Sequence, residues 1–169
     1  MLTRRGLSVS QAGTAVAIYL FASGLGGFFG GPTADRFGAR KVIALSLVLA
    51  TPFLVAAPFL SGLPFIVALA FGGFFLQSTL PVNVTFAQAL APVSAATVSS
   101  IMMGFGWGTG GLSVPLVGMI ADRVGIEPTL SGLALVPLVA AAIALPLPSR
   151  ARLEVPVRAD DLAVAEADH

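Results

Sequence analysis

Between Lys41 and Asp122 not one residue is charged. The same holds between Arg5 and Asp35, and between Glu127 and Arg150. A water-facing surface needs charges at much closer intervals, whereas a bilayer is crossed by about 20 consecutive apolar residues. The chain of 169 residues carries only 9 Lys+Arg and 8 Asp+Glu. Charged residues make up 10% of it, where a soluble domain has about 25%. These numbers exclude a soluble enzyme, a nucleic-acid binder and a disordered chain. They describe a polytopic membrane protein whose first partner is the lipid bilayer.

The apolar runs do not alternate with polar residues as the strands of a transmembrane β-barrel would, so the expected fold class is all-α. Five spans can be drawn, at about 8–31, 42–60, 63–86, 94–120 and 128–147. Each is long enough to cross a hydrocarbon core with some tilt. Residues 1–148 thus form one transmembrane bundle. The first apolar run is too long for the core of a signal peptide. From Ser149 the chain turns polar, with Arg150, Arg152, Glu154, Arg158, Asp160, Asp161, Glu166 and Asp168. Residues 149–169 read as a solvated, disordered tail.

Basic residues in short loops set orientation. Five spans place Arg36, Arg40, Lys41, Arg150, Arg152 and Arg158 on one side and Arg4, Arg5 and Arg123 on the other. The larger group assigns the C-terminus to the cytoplasm. Cysteine is absent and the single histidine is His169, so neither a metal site nor a cofactor is expected. No span contains an ionisable residue to activate a nucleophile, and Ser113 in Gly-Leu-Ser-Val-Pro lacks the second glycine of a nucleophile elbow. No catalytic residue is assigned.

Polar side chains are unevenly spread. The second and fifth spans are nearly bare and read as a lipid-facing rim. The first carries Tyr19 and Ser23, the third Gln77, Ser78, Thr79, Asn83 and Thr85, and the fourth Ser99, Ser100, Trp107, Thr109 and Ser113. Such groups are costly at membrane depth unless they face protein or a water-filled cavity. Tyr19, Gln77, Asn83, Trp107 and Thr109 are therefore candidates for lining a pathway, although Ser and Thr hydroxyls can instead bond back to their own helix. Two stripes of small residues run along the first span, Ser23-Gly27-Gly31 and Ala22-Gly26-Gly30, and Ser100-Gly104-Gly108 runs along the fourth. Stripes of this kind let helices approach closely, so Gly27, Gly104 and Gly108 are candidates for helix packing. Pro81 and Pro115 should kink their helices.

After the first span the sequence reads Gly31-Pro32-Thr33-Ala34-Asp35-Arg36-Phe37-Gly38-Ala39-Arg40-Lys41. A shorter echo, Gly118 to Gly125, repeats Ala-Asp-Arg-x-Gly after the fourth span. The first segment resembles the signature loop of the major facilitator superfamily. Further segments, Ala87-Gln88 with Leu90 and Pro92, and Gly104-Phe105-Gly106 with Gly110-Gly111-Leu112, resemble the C-terminal half of fosmidomycin-resistance-type efflux proteins. The resemblance covers about Gly6 to Pro148. It implies that the five spans correspond to helices eight to twelve of a twelve-helix transporter, a six-helix half lacking its first helix. Helices one to seven, or a partner half, would then complete the structure.

The resemblance further implies small-molecule efflux by alternating access, coupled to protons in the complete transporter. Gly31, Asp35, Arg36, Gly38, Arg40 and Lys41 would form a conformational lock, with Asp35 docked near Ser94–Thr97 and held by Arg36 or Arg40. Two departures stand out: Ala39 where the loop often has Arg, and the absence of a basic residue at Pro92–Ala95. A small membrane scaffold or half-transporter, working as an oligomer or with a partner chain, is the other reading.

Overall fold

The computed structural model describes residues 9–91 and 94–146, with side chains from Gly13 onward. The Arg4–Arg5 pair, Pro92 and the polar tail lie outside the described residues. Every element is helical: α1 (Val9–Phe37), α2 (Ala39–Ala56), a 3-10 turn at Ala57–Phe59, α3 (Gly62–Leu90), α4 (Ala95–Val124), α5 (Ile126–Leu133) and α6 (Val136–Ala144).

Four stretches are long and apolar enough to cross a membrane, namely Gly13–Phe37, Ala39–Phe59, Gly62–Leu90 and Ile126–Ala144. Helix α4 has 30 residues, which at 1.5 Å per residue gives roughly 45 Å. It matches the others in length, but its glycines dilute its apolarity.

The expected fifth span is interrupted. It divides into α5 and α6 at Ala134–Leu135, where the Leu135 N–H donates to the Gly132 carbonyl at 3.1 Å. Gly132 weakens the helix there, and Pro137 in the first turn of α6 has no N–H to continue the ladder. Helix α1, by contrast, runs through Pro32 to Phe37. The signature segment is thus mostly helix end rather than loop, with Gly38 alone separating α1 from α2.

The most extensive pairing is α1 on α3. One face of α1, made by Ala15, Ser23, Gly26, Gly30 and Ala34, is buried; steps of three, four and eight residues keep these on a single stripe. Gly26 lies on the backbone of Phe74 and Gly30 on that of Ser78. The register advances by four residues on each helix, so α1 and α3 run parallel. Between them and α6 sits a core of Ala34, Val42, Ile43, Leu47, Val82, Ala141 and Ala144. Helix α2 buries Val42, Ile43, Ser46, Leu47, Ala50 and Thr51 here and exposes its other flank. The least covered helix is not the bare α2 but α4, which meets α3 and α5 and has no buried residue.

Candidate functional site

Helices α3 and α4 diverge from a hydrogen-bonded junction. The Gln88 Nε2 donates to Ser99 Oγ at 2.6 Å, and Ser99 Oγ donates in turn to the Ala95 carbonyl at 2.8 Å. Beyond that junction a cleft of about 660 Å³ opens between the two helices. From α3 it is lined by Leu76, Gln77, Thr79, Leu80, Asn83 and Val84, and from α4 by residues including Met102, Met103 and Trp107.

Gln77 and Asn83 on α3 are both half-buried and both line the cleft, so the helix offers two amides to the same opening. Trp107 stands opposite on α4 and is 73% exposed. Its indole can cover an apolar or aromatic group while the amides supply donors and acceptors. Three of the five candidate lining residues, Gln77, Asn83 and Trp107, are therefore brought to one cleft.

The other two lie elsewhere. Tyr19 is half-buried in the α1–α3 contact, where its ring and the Ser23 hydroxyl crowd Gly73: a Cβ on Gly73 would meet either at 2.6 Å. Ser23 Oγ is buried there without a hydrogen-bond partner. Thr109 is exposed, and its hydroxyl donates to the Phe105 carbonyl at 2.7 Å. Thr33, Thr51, Ser78, Thr79, Ser100 and Ser113 similarly return their hydroxyls to carbonyls three or four residues earlier. The apolar lining residues sequence reasoning missed are Leu76, Leu80, Val84, Met102, Met103 and Val114. An apolar residue in an apolar span carries no signal of which way it faces.

Of the small-residue candidates, a Cβ on Gly27 would stand 3.9 Å from the Gln77 carbonyl oxygen, an ordinary contact, while Gly31, Gly104 and Gly108 have open space where a Cβ would stand. Close approach falls instead on Gly26, Gly30, Gly72 and Gly73. The second stripe of α1 contains the first two of these, and the Gly72-Gly73 pair was the overlooked signal on α3.

The two Ala-Asp-Arg-x-Gly segments fold alike. Gly38 has φ 90° and ψ 135°, and Gly125 has φ 95° and ψ 157°. The Gly38 N–H donates to Ala34 at 2.8 Å, and the Gly125 N–H to Ala121 at 3.0 Å. Each glycine carbonyl then accepts the first bond of the next helix, from Val42 and from Thr129. Positive φ at both positions requires glycine. Asp35, Arg36, Arg40 and Lys41 are exposed around the first turn. The second turn keeps the Asp–Arg pair but is followed by Glu127 instead of a basic pair. Glycine thus fixes the bend, and the flanking residues set its charge.

A helical membrane bundle with this repeated turn and this cleft agrees with the sequence profile of the Major Facilitator Superfamily, which matches residues 1–165. The chain belongs to that superfamily. It is 35% identical over 147 residues to a protein of Bacillus subtilis (strain 168) named "Uncharacterized MFS-type transporter YfnC", covering 87% of this chain and 36% of that protein. It is 33% identical over 127 residues to the fosmidomycin resistance protein of Escherichia coli (strain K12), covering 75% of this chain and 31% of that protein. The chain thus spans about a third of the length of the curated relatives it matches. No solved structure matches it significantly. Superfamily membership and the apolar helices make it a multi-pass membrane protein; nothing among the described residues groups three or more metal-ligating side chains.

Proposed function

We propose that this chain supplies part of an efflux transporter that exports a drug-like small molecule by alternating access, with the α3–α4 cleft as one wall of the substrate path. The observation that carries this reading is the convergence of Gln77, Asn83 and Trp107 on one opening. Amides at membrane depth are tolerated where they face water or substrate, and the indole matches a largely apolar guest. The name of the Escherichia coli relative supports a drug as substrate. The bacterial inner membrane with a cytoplasmic C-terminus is the location we assign. Alternating access rocks two halves about a central site, and the uncovered face of α4 is where the remainder of the transporter would close the path, whether as preceding helices or as a partner half.

Among the described residues, Asp, Glu, Lys and Arg stand only near helix ends, so we place the proton-binding group of a coupled cycle in the remainder. Asp35 has a different role in this account: it docks on the N-terminus of α4 at Ser94–Thr97 and holds the cytoplasmic side shut, with Arg36 or Arg40 steadying it. In support, Ser94 makes no side-chain capping bond, which leaves that positive helix end open to a carboxylate.

The test is fosmidomycin susceptibility of a sensitive bacterial host. The chain is expressed alone and together with the part of the Bacillus relative that it does not cover. Resistance on co-expression, lost in Asn83→Leu, is the expected result. Resistance from the chain alone would favour the second reading, a half-transporter acting as an oligomer, for which the uncovered α4 face also speaks. No resistance in either arm would overturn efflux of this drug class.

A further inference from the structure

A separate groove of about 790 Å³ lies beside the Gly38 turn. Its apolar walls are Phe37, Ala44, Leu45, Val48, Phe86 and Leu145, and Arg40 and Lys41 also line it. The arrangement is graded along α2. Both cations occupy the first turn of the helix, whereas Ala44, Leu45 and Val48 continue along it. From Arg40 to Val48 the axial distance is roughly 12 Å at 1.5 Å per residue. One end of the groove is therefore cationic and the rest aliphatic.

None of the groove-lining side chains is acidic, and Asp35 is not among them. Arg40 and Lys41 bring only donors, eight N–H bonds between them, and the guanidinium fork fits a phosphate. Leu45 and Val48 are 59% and 47% exposed on the flank of α2 turned away from the core. An occupant must therefore be anionic at one end, aliphatic at the other and able to arrive laterally through the bilayer. Basic pockets at the cytoplasmic ends of membrane helices take anionic lipid headgroups on the same grounds.

We infer that this groove binds an anionic phospholipid, with its phosphate on Arg40 and Lys41 and one acyl chain along Ala44, Leu45 and Val48. The inference shares Arg40 with the proposed Asp35 lock but does not rest on the transport reading. It concerns the flank of α2, and its test measures no transport.

The experiment is native mass spectrometry of the full chain, delipidated in detergent and then offered dioleoyl phosphatidylglycerol or dioleoyl phosphatidylethanolamine. Retention of the anionic lipid should exceed that of the zwitterionic one by roughly tenfold. The Arg40→Gln/Lys41→Gln variant should lose the preference while retaining its helical circular dichroism. Leu45→Trp, which fills the groove without changing charge, should lower retention of both lipids. Arg123→Gln, at the other glycine turn, should leave the preference intact. Equal retention of the two lipids by the unaltered chain would overturn the site, as would a preference that survives the double substitution. Should the double variant lose its helicity, unchanged retention in Leu45→Trp would overturn it by itself. Displacement of bound lipid by millimolar inorganic phosphate would show that charge alone is recognised and would contradict the acyl-chain groove.

Discussion

A methyl group added to Gly26 would run into the carbonyl of Phe74, and one added to Gly30 into that of Ser78. Neither obstacle is the far end of a flexible side chain; both are helix backbone, so α1 itself would have to move. Gly26→Ala should therefore destabilise the bundle by about 1–3 kcal/mol, the usual range for overpacking a filled interface. Gly108→Ala meets nothing within 4 Å and should be neutral or stabilising by up to about 1 kcal/mol, because alanine is the better helix former. Unfolding of the two variants by sodium dodecyl sulfate in mixed micelles checks both signs; equal losses would contradict the packing described. The sequence offered two overlapping stripes on α1 one residue apart. Nothing local separates Gly26–Gly30 from Gly27–Gly31, since the choice depends on where α3 lies, and that is a property of the assembled bundle. The amides of α3 were more legible: Gln77 and Asn83 are too polar for a lipid face, and the cleft receives both.

At the scale of elements, the two glycine turns form a repeated unit. The pentapeptides Ala34–Gly38 and Ala121–Gly125 bend the chain in the same way although their flanks differ in charge. Gly38→Ala and Gly125→Ala should each cost about 1–3 kcal/mol through backbone strain at positive φ. Asp122→Asn, at an exposed site, should cost less than about 1 kcal/mol. The same micelle titration separates these; a tolerated Gly38→Ala would contradict the geometry. The α3–α4 junction gives a second prediction. Ser99→Ala removes the acceptor of the Gln88 amide and should weaken the junction by about 1 kcal/mol. Nitroxide pairs at Ala89 and Ala96 would then show a broadened distance distribution. Helical type and the first four long helices were legible from the apolar runs, but the division of the fifth span and the helix ends were not. Hydropathy reports where lipid is, whereas backbone hydrogen bonding continues past it, so α1 extends to Phe37. The break at Ala134–Leu135 arises where Gly132 and Pro137 combine, each tolerable alone in a membrane helix.

At the scale of the molecule, the described helices form a compact α1–α2–α3–α6 core with α4 attached along one side. The superfamily was legible because the Gly31–Lys41 segment joins a mandatory glycine to a fixed charge pattern. The exposure of α4 was not, because it depends on which neighbours a chain spanning about a third of its relatives brings with it. The account rests on the α3–α4 cleft being a water-accessible path within the membrane. The chain has no cysteine, so a single introduced thiol reports without background. Asn83→Cys, inside the cleft, and Ile143→Cys, 68% exposed on α6, would be compared in lipid vesicles using a charged, membrane-impermeant thiol reagent. Asn83→Cys should react faster by roughly tenfold or more, since only a hydrated cavity admits a charged reagent to membrane depth. Equal rates, or an Asn83→Cys thiol as inert as that at Ile143→Cys, would contradict the pathway.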